Sequence, residues 1–147
     1  MLDQIANNMT EFSRQLERLA ILIDADVEKV VRLAVLKVFR KIILISPVDT
    51  GAYRSSHGIV SGREPGDKEN IKTGGDSPFD TDEWNFRIED GFIVIFNNQP
   101  YAERLENGWS GQAPQGIYSI ALEEFNRIFA EEIKNFGELE KYDTGGY

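Results

Sequence analysis

The sequence predicts an α+β domain with two N-terminal helices, a small antiparallel β-sheet and a C-terminal helix packed on that sheet. Three observations support this prediction. Apolar residues recur at helical spacing in the N-terminal third of the chain, and they do so again near the C-terminus. Between these regions, the segment 84–96 alternates apolar and polar residues around a tight-turn signal. A chain of 147 residues suits one core, so we expect residues 1–147 to form a single domain.

Two consecutive helices are predicted before Pro47. The first, over residues 3–23, carries one narrow apolar stripe that suits packing on another helix or on a neighbouring subunit, and it could project from the domain. The stripe consists of Leu2, Ile5, Met9, Phe12, Leu16, Leu19 and Ile23. A second helix with a broader apolar face runs from about Ala25 to Ile45. Ser46-Pro47 ends it, because proline disfavours helical geometry at the preceding residue.

The middle of the chain predicts strands separated by a long loop. Residues 55–60 are typical of a short strand, and the glycine-containing, acidic segment 61–82 predicts a mobile loop. Trp84, Phe86 and Ile88 alternate before Asp90-Gly91, and a β-prone run ends at Phe96. We therefore predict a β-hairpin from Trp84 to Phe96.

The C-terminal part predicts a short helical turn over 101–106 and a loop containing glycine and proline. The last helix is then predicted from about Gln115 to Phe136, with one apolar face turned to the sheet. Residues 137–147 are expected to form a frayed tail.

The charge and composition constrain the partners. The net charge is −9, from 25 acidic and 16 basic residues, which argues against a protein whose main task is to grip nucleic acid. Five bases and no acid lie between Lys29 and Lys41, and a favourable helix dipole explains them better than a basic surface facing DNA or a partner. No apolar run approaches the roughly 18 residues of a membrane span, so we expect no membrane partner.

Candidates for chemistry are few. His57 lies near Ser55, Ser56 and Asp49, but a serine and a histidine so close on one strand rarely converge for catalysis. Clustered acids at 80–83 are the alternative, as in a small carboxylate-based hydrolase, although solvated charge explains them better. With one histidine and no cysteine, no metal site is expected, and Gly74-Gly75 lacks the residues of a phosphate loop. We predict no cofactor and no enzyme activity.

Two segments are more specific than their composition suggests. In the first, residues 46–56, Pro47 stops the helix, Asp49 and Thr50 can bond to backbone N–H groups, and Gly51 permits a sharp reversal into a strand. The second segment spans residues 97–116. There, Tyr101 and Leu105 can pack on one face of a turn.

The rest of the second segment closes that turn and leads into the last helix. Gly108 can close the turn after Glu106, and Trp109 offers a large anchoring surface. Gln112-Ala-Pro114-Gln-Gly116 then leads into the last helix, which Gly116 can open.

The two segments together resemble the phage neck and tail-completion family that includes lambda-type minor tail protein Z. In that family, a Pro-x-Asp-Thr-Gly turn is followed by Tyr-Ala-x-x-Leu-Glu-x-Gly and then by a Gln-Ala-Pro-x-Gly step into the last helix. The matching region spans roughly Ser46 to Ala121, and the acidic loop 61–82 shows no such match. The resemblance implies structural or interaction roles for Pro47, Asp49, Thr50, Gly51, Tyr101, Leu105, Glu106, Gly108, Trp109, Gln112, Pro114 and Gly116.

The resemblance also implies a location and partners. It implies a virion protein, assembled in the bacterial cytoplasm, that forms a ring of six or twelve copies at the head–tail junction. Its partners would be the head-closure or connector protein, the tail terminator and the tail tube protein, with DNA only passing through the channel. A tail terminator or head-closure ring protein is the alternative within the virion, and a bacterial cytosolic adaptor is the alternative outside it.

Overall fold

The structure is a computed structural model that describes residues 10, 11, 13, 14, 24–73, 79–113 and 115–144. The elements along it are α1 (Asp24–Ile45), α2 (Ala52–Ser55), β1 (His57–Ser61), a 3-10 turn (Ile88–Asp90), β2 (Ile93–Asn97), α3 (Ala102–Glu106) and α4 (Tyr118–Thr144). β1 and β2 pair as a two-stranded antiparallel sheet. The predicted α+β class, with long helices before and after a small sheet, is confirmed.

The chain divides into two compact units. One unit combines residues 1–38 with 122–147, and the other contains residues 39–121. In the first unit, α1 and α4 lie against each other: Lys37 forms an ion pair with Glu132, and the Lys29 ammonium lies 5.8 Å from the centre of the Phe136 ring. Of the predicted helix 3–23, Thr10, Glu11, Ser13 and Arg14 are helical, and the remainder lies outside the described residues.

Helix α1 follows the predicted boundaries because its apolar face is continuous. Its buried side chains recur at helical spacing, as Val30, Ala34, Val35, Val38, Phe39 and Ile42. At the C-terminus of α1, the Ser46 hydroxyl donates to the Ile42 carbonyl oxygen at 2.6 Å, and Pro47 prevents continuation. The predicted end of this helix at Ser46-Pro47 is confirmed.

The predicted Trp84–Phe96 hairpin is wrong in its first strand. β2 pairs with β1 instead, in a register that places Gly58 opposite Phe96 and Val60 opposite Val94. The Trp84 indole is buried and donates to the Ser61 hydroxyl at 2.7 Å, so this segment packs through its side chain rather than through strand pairing. A two-residue turn signal cannot reveal that the true partner strand lies before the long loop.

The last helix also departs from its predicted boundaries. It begins at Tyr118 rather than near Gln115, because Gly116 has a left-handed φ of 86°. It continues to Thr144, beyond the predicted end near Phe136. One glycine in a helix costs only about 1 kcal/mol, and the Glu- and Lys-rich residues after Gly137 are good helix formers. Within the second unit, the first residue of α4 contacts β1, as described below.

Residues 62–73, predicted as part of a mobile loop, are tied to the sheet by amide side chains. Asn98 donates to the carbonyl oxygens of Gly66 and Glu69, at 2.7 and 3.1 Å. Asn70 has a left-handed φ of 59° and donates to the carbonyl oxygen of His57 at 2.8 Å. Hydrogen bonds of this kind were not foreseen, because asparagine in a polar loop gives no sign of its partner.

Candidate interaction site

The segments 46–56 and 97–116 meet in the second unit. The side chain of Gln112 forms two hydrogen bonds with the backbone of Val48: Oε1 accepts from the N–H at 3.0 Å, and Nε2 donates to the carbonyl oxygen at 3.2 Å. Residues of both segments line an open cleft of about 480 Å³. Its walls are Pro47, Val48, Asp49, Thr50, Gly51, Tyr53, Tyr101, Leu105, Ser110 and Gln112. We call it the Asp49 cleft.

Three glycines shape the chain around this cleft. Gly51, Gly108 and Gly116 have φ angles of 87°, 87° and 86°, in the left-handed region that L side chains rarely adopt. Gly51 precedes α2, where the Thr50 hydroxyl accepts a hydrogen bond from the Ala52 N–H at 3.2 Å. The reversal predicted at Gly51 therefore leads into a short helix, and the strand follows it.

Glu106 caps the N-terminus of α4 from a distant part of the chain. Its carboxylate accepts hydrogen bonds from the backbone N–H groups of Ile117, Tyr118 and Ser119 at 2.9–3.0 Å, and from the Ser119 hydroxyl at 2.5 Å. Burial would raise the pKa of Glu106, but these hydrogen bonds outweigh it and hold the pKa below its ordinary value. The charged carboxylate thus supplies partners for N–H groups that a helix start leaves unsatisfied.

We expect Glu106→Gln to lower the free energy of unfolding by about 2 kcal/mol, because the amide loses the charge and turns one donor group toward the helix N–H groups. Glu103→Gln is the matched control, since Glu103 is exposed on the same short helix. Urea unfolding at pH 7 measures the free energy of unfolding of both variants. Equal stability of the two variants would contradict a capping role.

Asp49 gives the cleft a negative charge. Its side chain is exposed and makes no hydrogen bond or ion pair within the described part of the chain, although it was predicted to bond to a nearby backbone N–H group. Burial, and then the charge of Asp49, raise the pKa of Tyr101. Burial, then Glu106 and Tyr101, raise the pKa of Tyr53, whose ring centre lies 6.4 Å from that of Tyr101. Both phenols therefore remain neutral beside a carboxylate.

Trp109 stands outside the cleft lining and is 72% exposed. The Arg104 guanidinium lies over its ring, 5.2 Å from the ring centre, a cation–π contact. Leu105, which was predicted to pack with Tyr101, lines the same cleft and is half-buried. Of the predicted site residues, only Pro114 lies outside the described residues.

The single histidine lies in the interior of the second unit. His57 is 1% exposed and accepts from or donates to three side chains: Ser46 at Nε2 (2.7 Å), and Tyr118 (2.9 Å) and Asn97 (3.3 Å) at Nδ1. Because the Ser46 hydroxyl gives its proton to Ile42, its oxygen accepts from Nε2–H, and Nδ1 then accepts from the Tyr118 hydroxyl. Burial lowers the pKa of His57 to about 4.

This arrangement does not match the serine–histidine pair considered from the sequence. The hydroxyls of Ser55 and Ser56 donate to backbone carbonyl oxygens of Gly51 and Ala52, at 2.7 and 2.6 Å. The serine that does contact His57 is Ser46, which is 4% exposed and hence closed to a substrate. Hydrogen bonds from His57 to the end of α1 and the start of α4 fasten these elements to β1, a structural role.

Other candidates also have structural explanations. Asp80 accepts a hydrogen bond from the backbone N–H of Asp82 at 2.9 Å, so one of the clustered acids stabilises its own turn. Gln99, buried and missed from the sequence, donates to the Ser56 hydroxyl at 2.9 Å and to the Lys72 carbonyl oxygen at 2.8 Å. Among the residues that the structure describes, no group of three or more His, Asp or Glu side chains could hold a metal ion.

None of the helices in the described ranges combines the length and the apolar character that crossing a membrane requires. Comparisons of the chain with family models, with curated proteins and with solved structures found no match.

Proposed function

We propose that the chain is a structural protein of a tailed phage virion, a neck or tail-completion subunit that forms a ring at the head–tail junction. One observation carries this proposal: the two segments that resemble the family, far apart in sequence, converge on one cleft through the Gln112–Val48 hydrogen bonds. A chance likeness of two separate turns would not require them to meet. A tail terminator or head-closure ring is the second candidate, and the same cleft is compatible with it.

The exposed face of the second segment supports a role in protein contacts. Tryptophan, tyrosine and arginine are enriched among the residues that carry the binding energy of protein interfaces, and Trp109 is an exposed tryptophan in contact with the Arg104 guanidinium. The glycines and the Glu106 cap fix the backbone on which Trp109 is displayed. Rigid presentation reduces the entropy that would be lost on assembly.

The electrostatics fit a passage for DNA better than a grip on it. With a net charge of −9, a ring of such subunits would carry many excess acids and would not retain the polyanion by attraction. Partners in this proposal are further copies of the chain, the connector or head-closure protein, the tail terminator and the tail tube protein.

Trp109→Ala should reduce incorporation of the protein into particles strongly while leaving its folding intact. Truncating a central aromatic anchor costs about 2 kcal/mol of binding energy, or roughly thirtyfold in affinity. Because the indole is 72% exposed, we expect the thermal unfolding midpoint to stay within about 2 °C of the wild type.

Leu122→Ala is the matched control, since Leu122 is also a large exposed apolar residue, at 59%, but lies outside both segments. Quantitative mass spectrometry of purified particles, produced by complementing a deletion of the gene, measures incorporation of each variant. Wild-type infectious titre and incorporation with Trp109→Ala would count against the contact role.

A further inference from the structure

We infer that the Asp49 cleft receives the Arg40 side chain of a second copy of the chain, so that neighbouring subunits contact each other head to tail. This inference rests on the proposed function, because it names the partner of the cleft within the ring.

The Asp49 cleft has the chemistry of a site for a cationic side chain with a long stem. Asp49 supplies an exposed carboxylate without a hydrogen-bond partner among the described residues. Tyr101 and Leu105 line the same cleft and supply an aromatic ring and apolar surface. A guanidinium can pair with the carboxylate while its plane stacks on the aromatic ring and its methylene groups cover the apolar wall.

The electrostatic effects within the cleft agree with this. The negative charge of Asp49 contributes to the raised pKa of Tyr101, and the negative charge of Glu106 contributes to the raised pKa of Tyr53. Glu106 is already satisfied by the start of α4, whereas Asp49 is not. Asp49 is therefore the carboxylate near these two phenols that lacks a hydrogen-bond partner among the described residues.

Arg40 is the complementary group on the same chain. It belongs to the run from Lys29 to Lys41, which contains five bases and no acid. Lys37 in this run pairs with Glu132, and Lys29 lies on the Phe136 ring. Arg40 is exposed and makes no hydrogen bond or ion pair with the residues described. Arginine suits the cleft better than lysine, because its planar group both stacks and forms paired hydrogen bonds.

In the proposed ring, each copy would offer its cleft to one neighbour and its Arg40 to the other, so that unlike surfaces of the two copies meet. Asp49 follows the end of α1 and Arg40 lies within that helix. An interface between unlike surfaces repeats from one subunit to the next and closes into a ring when the rotation permits. This is the symmetry that a ring with one face toward the head and one toward the tail requires.

Charge exchange between two variants tests the contact. Asp49→Arg alone places a second guanidinium against Arg40 of the next copy, and Arg40→Asp alone places two acids together. We expect each variant to self-associate at least tenfold more weakly than the wild type in sedimentation velocity at low salt. An equimolar mixture of the two variants offers contacts between opposite charges, and its association should return toward that of the wild type.

Lys68→Asp is the matched control, because Lys68 is an exposed base outside the run. By itself, Lys68→Asp keeps both Asp49 and Arg40 and should self-associate as strongly as the wild type. If the Asp49→Arg and Arg40→Asp mixture remains as monomeric as its components, or if Lys68→Asp alone weakens self-association as much as Arg40→Asp does, the inference is overturned. A wild type that stays monomeric at millimolar concentration also overturns it.

The outcome can be separated from the proposed function. If the chain is present in phage particles but the mixture of Asp49→Arg and Arg40→Asp does not associate, the Arg40 contact is ruled out and the proposed function stands. If the mixture associates but the chain is absent from phage particles, the contact stands and the proposed function is ruled out.

Discussion

Gly116→Ala is expected to destabilise the second unit more than any other single methyl addition considered, by about 4 kcal/mol. Two effects combine at this position. The φ of 86° is strained for alanine, and a Cβ built there would lie 2.6 Å from the backbone oxygen of Glu106 and 2.9 Å from its Oε1. The backbone oxygen cannot swing away as a flexible side chain would, so α3 or the start of α4 has to shift. That shift would also break the Glu106 cap.

Gly91→Ala separates these two effects. Gly91 has a nearly equal φ of 82°, but nothing lies within 4 Å of its Cβ position. We expect it to cost about 1 kcal/mol, from backbone strain alone. Chemical denaturation of the wild type, Gly116→Ala and Gly91→Ala gives the loss of unfolding free energy of each variant. A Gly116→Ala variant no less stable than Gly91→Ala would show that the close approach of Glu106 to Gly116 is wrong.

The second large effect is a loss of stability in mild acid caused by His57. Burial lowers the folded-state pKa to about 4, from an ordinary value of 6.5. Between these two values the unfolded chain binds a proton that the folded protein does not. The contribution of neutral His57 to the free energy of unfolding is therefore complete above pH 6.5 and is lost as the pH falls toward 4. At about 1.4 kcal/mol per pH unit, the loss amounts to about 3 kcal/mol.

His57→Gln isolates this effect from the many carboxylates, which titrate in both proteins. The amide keeps a donor for Ser46 and an acceptor for the Tyr118 hydroxyl, but it has no proton to gain in this range. At pH 7 we expect the variant to be the less stable protein. In urea unfolding at several pH values, its disadvantage should shrink by about 3 kcal/mol between pH 7 and pH 4. Parallel pH profiles would mean that His57 is not a buried neutral group.

The parts of the fold that were predictable depend on local patterns. The end of α1 follows from Pro47, and the turn at Gly51 follows from the only residue type that tolerates its φ without strain. The alternation around Trp84, by contrast, predicted a hairpin that does not form. Its side chain packs on Ser61 of β1, and no rule about neighbouring residues contains that distant partner.

The same distinction applies to the site. The residues of both segments were predicted to be structural, and the structure places most of them around one cleft. Their joining by Gln112 and Val48 was not predictable, because a glutamine side chain gives no indication of a backbone partner in a distant segment. Nor was Ser46 singled out as the partner of His57, since its proximity depends on the packing of α1 against β1.

The most direct test of the proposed function is a cryo-EM reconstruction of the tailed particles made by the organism that encodes this chain. We predict a ring of density at the head–tail junction into which residues 39–121 fit as repeated subunits, with the Asp49 cleft of one copy facing the next. Particles whose junction is fully accounted for by other proteins, with this chain absent from their mass spectrum, would contradict the proposed function.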